Sequence, residues 1–156
     1  MKIASIIAVG WIGLCGAASF ASAGDEHTMV APDDIKWGPA PKILPAGAQA
    51  AVLFGDPTKQ GLFALRLKVP PGYAVPPHTH PADEVVTVIS GTFNLGMGET
   101  ADKGSAHALP AGSFFALPPG TAHFAYFDEE TVIQITTNGP WGLNYVNPAD
   151  DPQKSQ

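Results

Sequence analysis

Four side chains in two short segments have the types and spacing of a transition-metal site. His78, His80 and Glu84 fall within seven residues of one another, and His123 lies in a second segment, 112–127. Imidazole nitrogens together with a carboxylate oxygen suit divalent Fe, Mn, Ni, Cu or Zn. Three histidines and one glutamate therefore indicate a metal centre. An ion that takes six ligands would keep two positions open, for a substrate and for O2 or water.

The spacing also indicates which elements must position these ligands. His78 and His80 are two residues apart, so on an extended segment they project to the same side. Pro81 interrupts such a segment, so a tight turn or bulge must bring Glu84 onto a neighbouring strand. His123 follows a Pro-Pro-Gly turn and begins a separate strand. The interior of a β-barrel is the natural place for side chains of separate strands to converge.

The rest of the sequence predicts short strands separated by turns. The clearest alternation spans 62–69, where Phe63, Leu65, Leu67 and Val69 fall on one face. The other predicted strands are 35–37, 49–54, 84–89, 92–95, 107–109, 114–117, 123–127, 131–137 and 143–146. After residue 23 no segment keeps a helical apolar period over ten positions, and 17 glycines and 16 prolines interrupt the chain. The class predicted is all-β, a sandwich or barrel in one domain.

At these residues the chain resembles a single-domain bacterial cupin. The first cupin motif is Gly, five residues, His-x-His, three or four residues, Glu, six residues and Gly. Gly72, His78, His80, Glu84 and Gly91 satisfy every interval. The resemblance implies a jelly-roll-type β-barrel over 35–146.

The second cupin motif is Gly, five residues, Pro-x-Gly, two residues, His, three residues and Asn. Gly112, Pro118, Gly120 and His123 fit this motif, whereas Phe127 stands at the Asn position. The resemblance implies that the three histidines and Glu84 are the metal ligands. The departure at Phe127 leaves those ligands unchanged and affects only the hydrogen bonding that an Asn would supply. If His123, Ala125 and Phe127 share a face, Phe127 forms an apolar wall of the barrel interior.

Two classes of function are consistent with these ligands. The first is a small metalloenzyme, a dioxygenase-type oxidoreductase or else an isomerase or lyase, that acts on a small organic molecule, with Glu84 able to serve as base. The alternative is a non-catalytic, metal-dependent binding or sensing module, because zinc-cupin anti-sigma factors also resemble this stretch. The resemblance implies Fe or Mn in many enzymatic relatives and Cu in some, so the ion stays open among Fe, Mn, Cu, Ni and Zn. The predicted pocket wall consists of Val86, Val88, Phe115, Ala125 and Phe127.

The N-terminus predicts export. Lys2 precedes an apolar run over 3–20, and Ala21-Ser22-Ala23 forms a signal-peptidase site, so residues 1–23 are predicted to be a signal peptide. A flexible arm (24–34) and a polar tail (147–156) are expected to flank the barrel. Cys15 is the only cysteine, so the exported chain would have no disulfide. The metal would be acquired in the periplasm or outside the cell.

Charge and the remaining polar residues bear on partners. The net charge is −6 without any basic run, which argues against nucleic acid as a partner, and no membrane association is expected after signal cleavage. Arg66 is expected on the outer face, whereas the direction of Gln134 stays open. Trp141 and Tyr145 are assigned to core or dimer packing rather than to the pocket, because small barrels often cover apolar edges by forming a homodimer.

Overall fold

The computed structural model describes residues 27–154, so the predicted signal peptide lies outside the described residues. Within them the chain is all-β, as predicted, and forms two antiparallel sheets of a jelly roll. The strands are β1 (Gly38–Pro39), β2 (Gln49–Phe54), β3 (Gly61–Val69), β4 (Ala74–Thr79), β5 (Glu84–Ser90), β6 (Thr92–Met97), β7 (His107–Pro110), β8 (Phe114–Leu117), β9 (His123–Tyr126), β10 (Thr131–Gly139) and β11 (Asn144–Tyr145). Short 3-10 helices span Pro32–Asp34, Lys103–Ser105 and Pro148–Asp150.

The two sheets differ in their strand order. The larger sheet has the order β1-β2-β3-β10-β5-β8, and the smaller one has the order β11-β4-β9-β6-β7. Between residues 27 and 154, no helix is long and apolar enough to cross a membrane.

The core lies between the sheets and is built from the alternation of the long strands. On β3 the four apolar residues predicted to share a face are buried, while Ala64, Arg66 and Lys68 between them are only half-buried. β10 pairs along the whole of β3 and places Ile133 opposite Leu67. Burying one face of two paired nine-residue strands fixes their register, because a slip by one residue would turn the apolar set to solvent.

Strand β4 is an element that the sequence did not predict, because it contains Pro76 and Pro77. Its pairing with β9 is irregular at this point: Val75 lies opposite Ala125, and the next paired residue is His78, opposite His123. Proline has no N–H to donate to a ladder, so a bulge is where a strand can hold two of them. The bulge sets the register at which the two histidines face each other.

Two further details concern the strand ends. The first strand is Gly38–Pro39 rather than 35–37. Gly91 links β5 to β6 with φ of +72°, and a Cβ at this position would lie 2.5 Å from the Glu130 carbonyl oxygen. Only glycine fits this turn without strain, which gives the last glycine of the first motif a structural reason.

Candidate metal centre

Three strands of the two sheets bring the four predicted ligands together. His78 lies on β4, His80 directly follows β4, and His123 begins β9 in the same sheet. Glu84 begins β5 in the facing sheet, after the turn that Pro81 was predicted to impose. All four residues are at most 6% exposed. Burial of so many polar groups in one place requires partners for each of them.

Each imidazole is oriented by a hydrogen bond at Nδ1. The acceptors are backbone carbonyl oxygens, in the pairs His78–Pro76 at 2.7 Å, His80–Gly142 at 2.8 Å and His123–Thr121 at 3.0 Å. A carbonyl oxygen can only accept, so Nδ1 carries the proton and donates it in all three rings. In each neutral ring the lone pair is therefore on Nε2. A metal-binding histidine is commonly fixed in this way.

The three Nε2 atoms converge. His78 Nε2 lies 3.1 Å from His80 Nε2, and the ligand atoms of His78, His80 and His123 all lie within 4.8 Å of one another. Adjacent ligands on an ion with bonds of about 2.1 Å are roughly 3 Å apart, so the measured separation suits a shared ion. Two lone pairs at this distance with no proton between them repel each other. A cation removes that repulsion.

Glu84 completes the set with a carboxylate that lacks a donor. Its Oε1 lies 3.4 Å from His80 Nε2, and its Oε2 lies 3.0 Å from His123 Nε2. Because the protons of both neutral rings are on Nδ1, these contacts join acceptors to acceptors, and Oε2 is buried without a hydrogen bond. Leaving a buried charged acceptor unpaired costs more than the ~1–3 kcal/mol of a neutral group. The donor set therefore fits a divalent transition-metal ion.

Protonation in the metal-free protein follows from the same contacts. Burial raises the pKa of Glu84, but His123 and His80 outweigh burial and hold that pKa below its usual range. Burial lowers the pKa of His123, but the Glu84 carboxylate outweighs this effect and the net pKa is raised. Burial, and then repulsion by His123 and His80, lowers the pKa of His78 to about 3. Without metal, His78 thus stays neutral, while Glu84 and His123 each favour the charged form of the other.

The four ligand side chains line a mostly apolar cavity in the core. Its other lining residues are Leu44, Leu67, Val69, Tyr73, Val75, Phe93, Ala125, Phe127, Ile133, Ile135, Trp141 and Leu143. The space available to the centres of water molecules is about 30 Å³. This holds roughly two waters at ~10–15 Å³ each. The cavity is therefore small.

The predicted pocket wall is divided between the cavity and the core. Ala125 and Phe127 line the cavity, whereas Val86, Val88 and Phe115 do not. Val86 and Val88 are fully buried in the core cluster, and Phe115 is half-buried against it. Phe127, at the usual Asn position, packs against aromatic rings: Phe93 at 5.0 Å and Tyr73 at 6.2 Å between centroids. It forms an apolar wall, as the shared face with His123 suggested.

Trp141 packs against the core, as assigned, but it also takes part in the pocket, which was not expected. Trp141 lines the metal cavity, and its ring is nearly parallel to that of His80, at 6° and 6.3 Å between centroids. Tyr145, on β11, lies opposite His78, with ring centroids 6.1 Å apart. Pairing of β11 with β4 brings this segment over the histidines. No local pattern indicates that pairing, because β11 is only two residues long and its partner strand was not predicted.

Two polar residues of the larger sheet lie away from the centre. The Arg66 Nε–H donates to Gln134 Oε1 at 3.1 Å, and these residues are paired across β3 and β10. The neighbours of Gln134 along β10, Ile133 and Ile135, are buried, so Gln134 is on the outer face. This result answers the question of its direction, and Arg66 is on the expected face.

Comparison with known plant proteins gives partial matches. The chain is 45% identical over 65 residues to germin-like protein subfamily 2 member 1 of Arabidopsis thaliana, a match that covers 41% of this chain and 30% of that protein. It is 38% identical over 90 residues to germin-like protein 3-1 of Oryza sativa subsp. japonica, covering 57% and 39%. The chain thus matches about a third of the length of these curated relatives.

Solved structures share the fold at low identity. The polyketide cyclase RemF of Streptomyces resistomycificus superposes with a TM-score of 0.63 at 18% identity, over 82% of this chain and 91% of that one. An acetylacetone dioxygenase of Acinetobacter johnsonii gives 0.60 at 16% identity, over 91% and 87%. The Rhodobacter sphaeroides complex of SigE with the anti-sigma ChrR gives 0.50 at 21% identity, over 69% and 50%.

A family model covers most of the chain. It is described as the ChrR cupin-like domain and matches residues 25–142, which include both histidine motifs and all four candidate ligands. The jelly roll and the three converging imidazoles agree with it. The chain belongs to the ChrR-like cupin family.

Proposed function

We propose that this protein is an exported metalloenzyme of the dioxygenase type that acts on a small organic molecule at a three-histidine, one-glutamate centre. The observation that carries the proposal is the buried convergence of three imidazoles next to a carboxylate whose Oε2, 3.0 Å from His123 Nε2, has no hydrogen-bond partner. A structural role alone would not need such a set, because apolar residues would fill the same space at lower cost. The structural likeness to an acetylacetone dioxygenase supports the reaction class through the fold alone.

The three histidines and Glu84 have different roles in this proposal. His78, His80 and His123 hold the ion through Nε2, and their Nδ1 hydrogen bonds keep the rings oriented. When bound, a transition-metal ion supplies Lewis-acid and redox chemistry at its open positions. Glu84 is ionised at neutral pH, because its pKa lies below the usual range. Where the three histidines alone hold the ion, the freed Glu84 carboxylate accepts a proton from the substrate and returns it after the bond rearrangement, as a general base does.

The apolar wall limits both the solvent and the substrate. Phe93, Phe127 and Trp141 form an apolar wall that leaves little room for water, which strengthens charge interactions at the centre. Room for only about two water centres favours a substrate of few heavy atoms. A flavonol or another large aromatic substrate would require the cavity to open.

Oxygen consumption by the metal-loaded protein tests this proposal. Metal-free protein is loaded anaerobically with Fe(II), Mn(II), Cu(II) or Zn(II), and O2 uptake is recorded with small β-diketones, enols and catechols. We expect uptake with at least one redox-active ion and none with Zn(II). The variant His123→Ala should lose both metal and uptake, whereas His107→Ala, an exposed histidine on β7, is the matched control. Tightly held Zn(II) without O2 uptake under any condition would refute the proposal that the protein is a dioxygenase-type enzyme.

The second candidate is a non-catalytic metal-binding or sensing module. The observation that favours it is the family description itself, together with the likeness to the SigE complex with the anti-sigma ChrR. The same measurement separates the two candidates, because a sensing module binds metal with full stoichiometry and consumes no O2.

Export and assembly belong to the same proposal. The mass of the protein recovered outside the cytoplasm should correspond to a chain that starts at Gly24, which tests the predicted cleavage after residue 23. Sedimentation should give the mass of a homodimer. A full-length mass, or a monomer at all concentrations, would contradict these two points separately.

A further inference from the structure

The side-chain hydrogen-bond donors around the metal cavity already have acceptors within the protein, with one exception. The three histidines donate through Nδ1 to backbone carbonyls, and the hydroxyl of Tyr73 donates to the Pro45 carbonyl oxygen at 2.7 Å. Trp141 is the exception among the described residues that line the cavity: its indole N–H is shielded from solvent and has no hydrogen-bond partner.

The position of this N–H is fixed. The Trp141 ring is nearly parallel to that of His80, and its centroid lies 6.4 Å from that of Phe63. The backbone N–H of Trp141 donates to the Pro57 carbonyl oxygen at 2.7 Å. Buried donors in native proteins are nearly always paired. A phenylalanine here would keep the aromatic packing without an unpaired donor, so the indole N–H is best explained by an acceptor that enters the cavity.

The charge of the site indicates what that acceptor is. A divalent ion with one carboxylate and three neutral imidazoles carries a net charge of +1, and most of the remaining wall is apolar. A buried charge in apolar surroundings needs a partner of opposite sign. A singly charged oxygen anion neutralises the site and supplies an acceptor, and the small cavity restricts the anion to few heavy atoms.

We propose that the indole N–H of Trp141 donates a hydrogen bond to an oxygen of a small oxygen monoanion, a carboxylate or an enolate, bound beside His80. This inference rests on the metal centre of the proposed function but does not require turnover. Trp141 then acts as a specificity-determining residue, because ligands of similar size that lack the acceptor leave the N–H unpaired.

Anion binding to the Cu(II)-loaded protein tests the inference. Acetate and acetylacetone, which represent the carboxylate and the enolate, are titrated separately, and the Cu(II) visible and electron paramagnetic resonance spectra report binding. In Trp141→Phe the dissociation constant of at least one anion should rise about tenfold, because the anion loses one hydrogen bond. Trp37→Phe is the matched control, because Trp37 lies under Lys68 on the outer face, away from the centre. Copper stoichiometry should stay unchanged in both variants.

A measurement on the unsubstituted protein guards against a variant that fails to fold. In the Zn(II)-loaded protein the indole proton resonance of Trp141 should move downfield on addition of acetate or acetylacetone, while that of Trp37 stays in place. If the Trp141 proton does not move, its N–H faces the neighbouring crevice formed with Thr137 and Pro140, and the inference is wrong. Absence of stoichiometric metal from the unsubstituted protein would instead refute the metal centre itself.

Discussion

Gly96 on β6 gives the sharpest test of how packing supports the centre. It lies opposite Phe124 of β9, and a Cβ added to it would lie 1.9 Å from Phe124 Cζ and 2.2 Å from Cε1. Carbon atoms in contact are about 3.5–4.0 Å apart, so the ring would have to move by roughly 1.5 Å or more. Phe124 is 2% exposed and follows His123 directly. The variant Gly96→Ala should therefore disturb the strand that carries a ligand.

The magnitude follows from two limits. If the core absorbs the added methyl group, overpacking costs about 1–3 kcal/mol. If the Phe124 ring is expelled into solvent, its lost burial costs roughly 2–3 kcal/mol. We expect Gly96→Ala to lower the free energy of unfolding by about 1–3 kcal/mol, measured by urea denaturation of the metal-free protein, and to weaken metal binding because β9 shifts.

Two comparisons make the result interpretable. Gly38→Ala introduces the same methyl group where no atom lies within 4 Å, and it should change stability by at most about 0.5 kcal/mol. Adding Phe124→Leu to Gly96→Ala shortens the clashing side chain, so the double variant should be at least about 1 kcal/mol more stable than the two single effects summed. A stability of Gly96→Ala within about 0.5 kcal/mol of the unsubstituted protein would refute the reasoning.

Three further predictions follow from the centre and its surroundings. The stability of the metal-free protein should peak near pH 6.5. Below this pH His78 is protonated in the unfolded chain but stays neutral in the folded protein, where its pKa is about 3. The free energy of unfolding therefore falls by about 1.4 kcal/mol for each pH unit. Above this pH, folded His123 keeps a proton that the unfolded chain loses, because its pKa is raised in the folded protein, so the stability falls again. A free energy of unfolding, measured by urea denaturation, that increases continuously from pH 5 to 8 would contradict this. Metal at 100 times its dissociation constant should add about 2.7 kcal/mol, chelator should reverse the gain, and His78→Ala should abolish it. Tyr145→Phe removes the hydrogen bond to the Ile43 carbonyl oxygen at 2.7 Å and should cost about 1 kcal/mol in urea denaturation, with an unchanged value contradicting the assigned bond.

Several features of the fold could be predicted because they depend on local patterns. The alternation along β3 predicted which face is buried, since the side-chain period of a strand is two. β2 and β8 have the bounds that the sequence predicted, because Gly and Pro mark their ends. β4 was not predicted, because Pro76 and Pro77 argue against a strand unless a bulge holds them, and a bulge depends on the partner strand.

Residue types and intervals in the sequence determined the ligand set, since two histidines two residues apart, an acidic residue four positions on and a histidine after a Pro-Gly turn can be recognised without coordinates. Tertiary structure alone decided how those ligands are held and what surrounds them. The Gly142 carbonyl that orients His80 and the indole of Trp141 come from a segment some sixty residues further on, brought there by β11. Contacts across such a separation depend on how whole strands pair, and no local pattern encodes them.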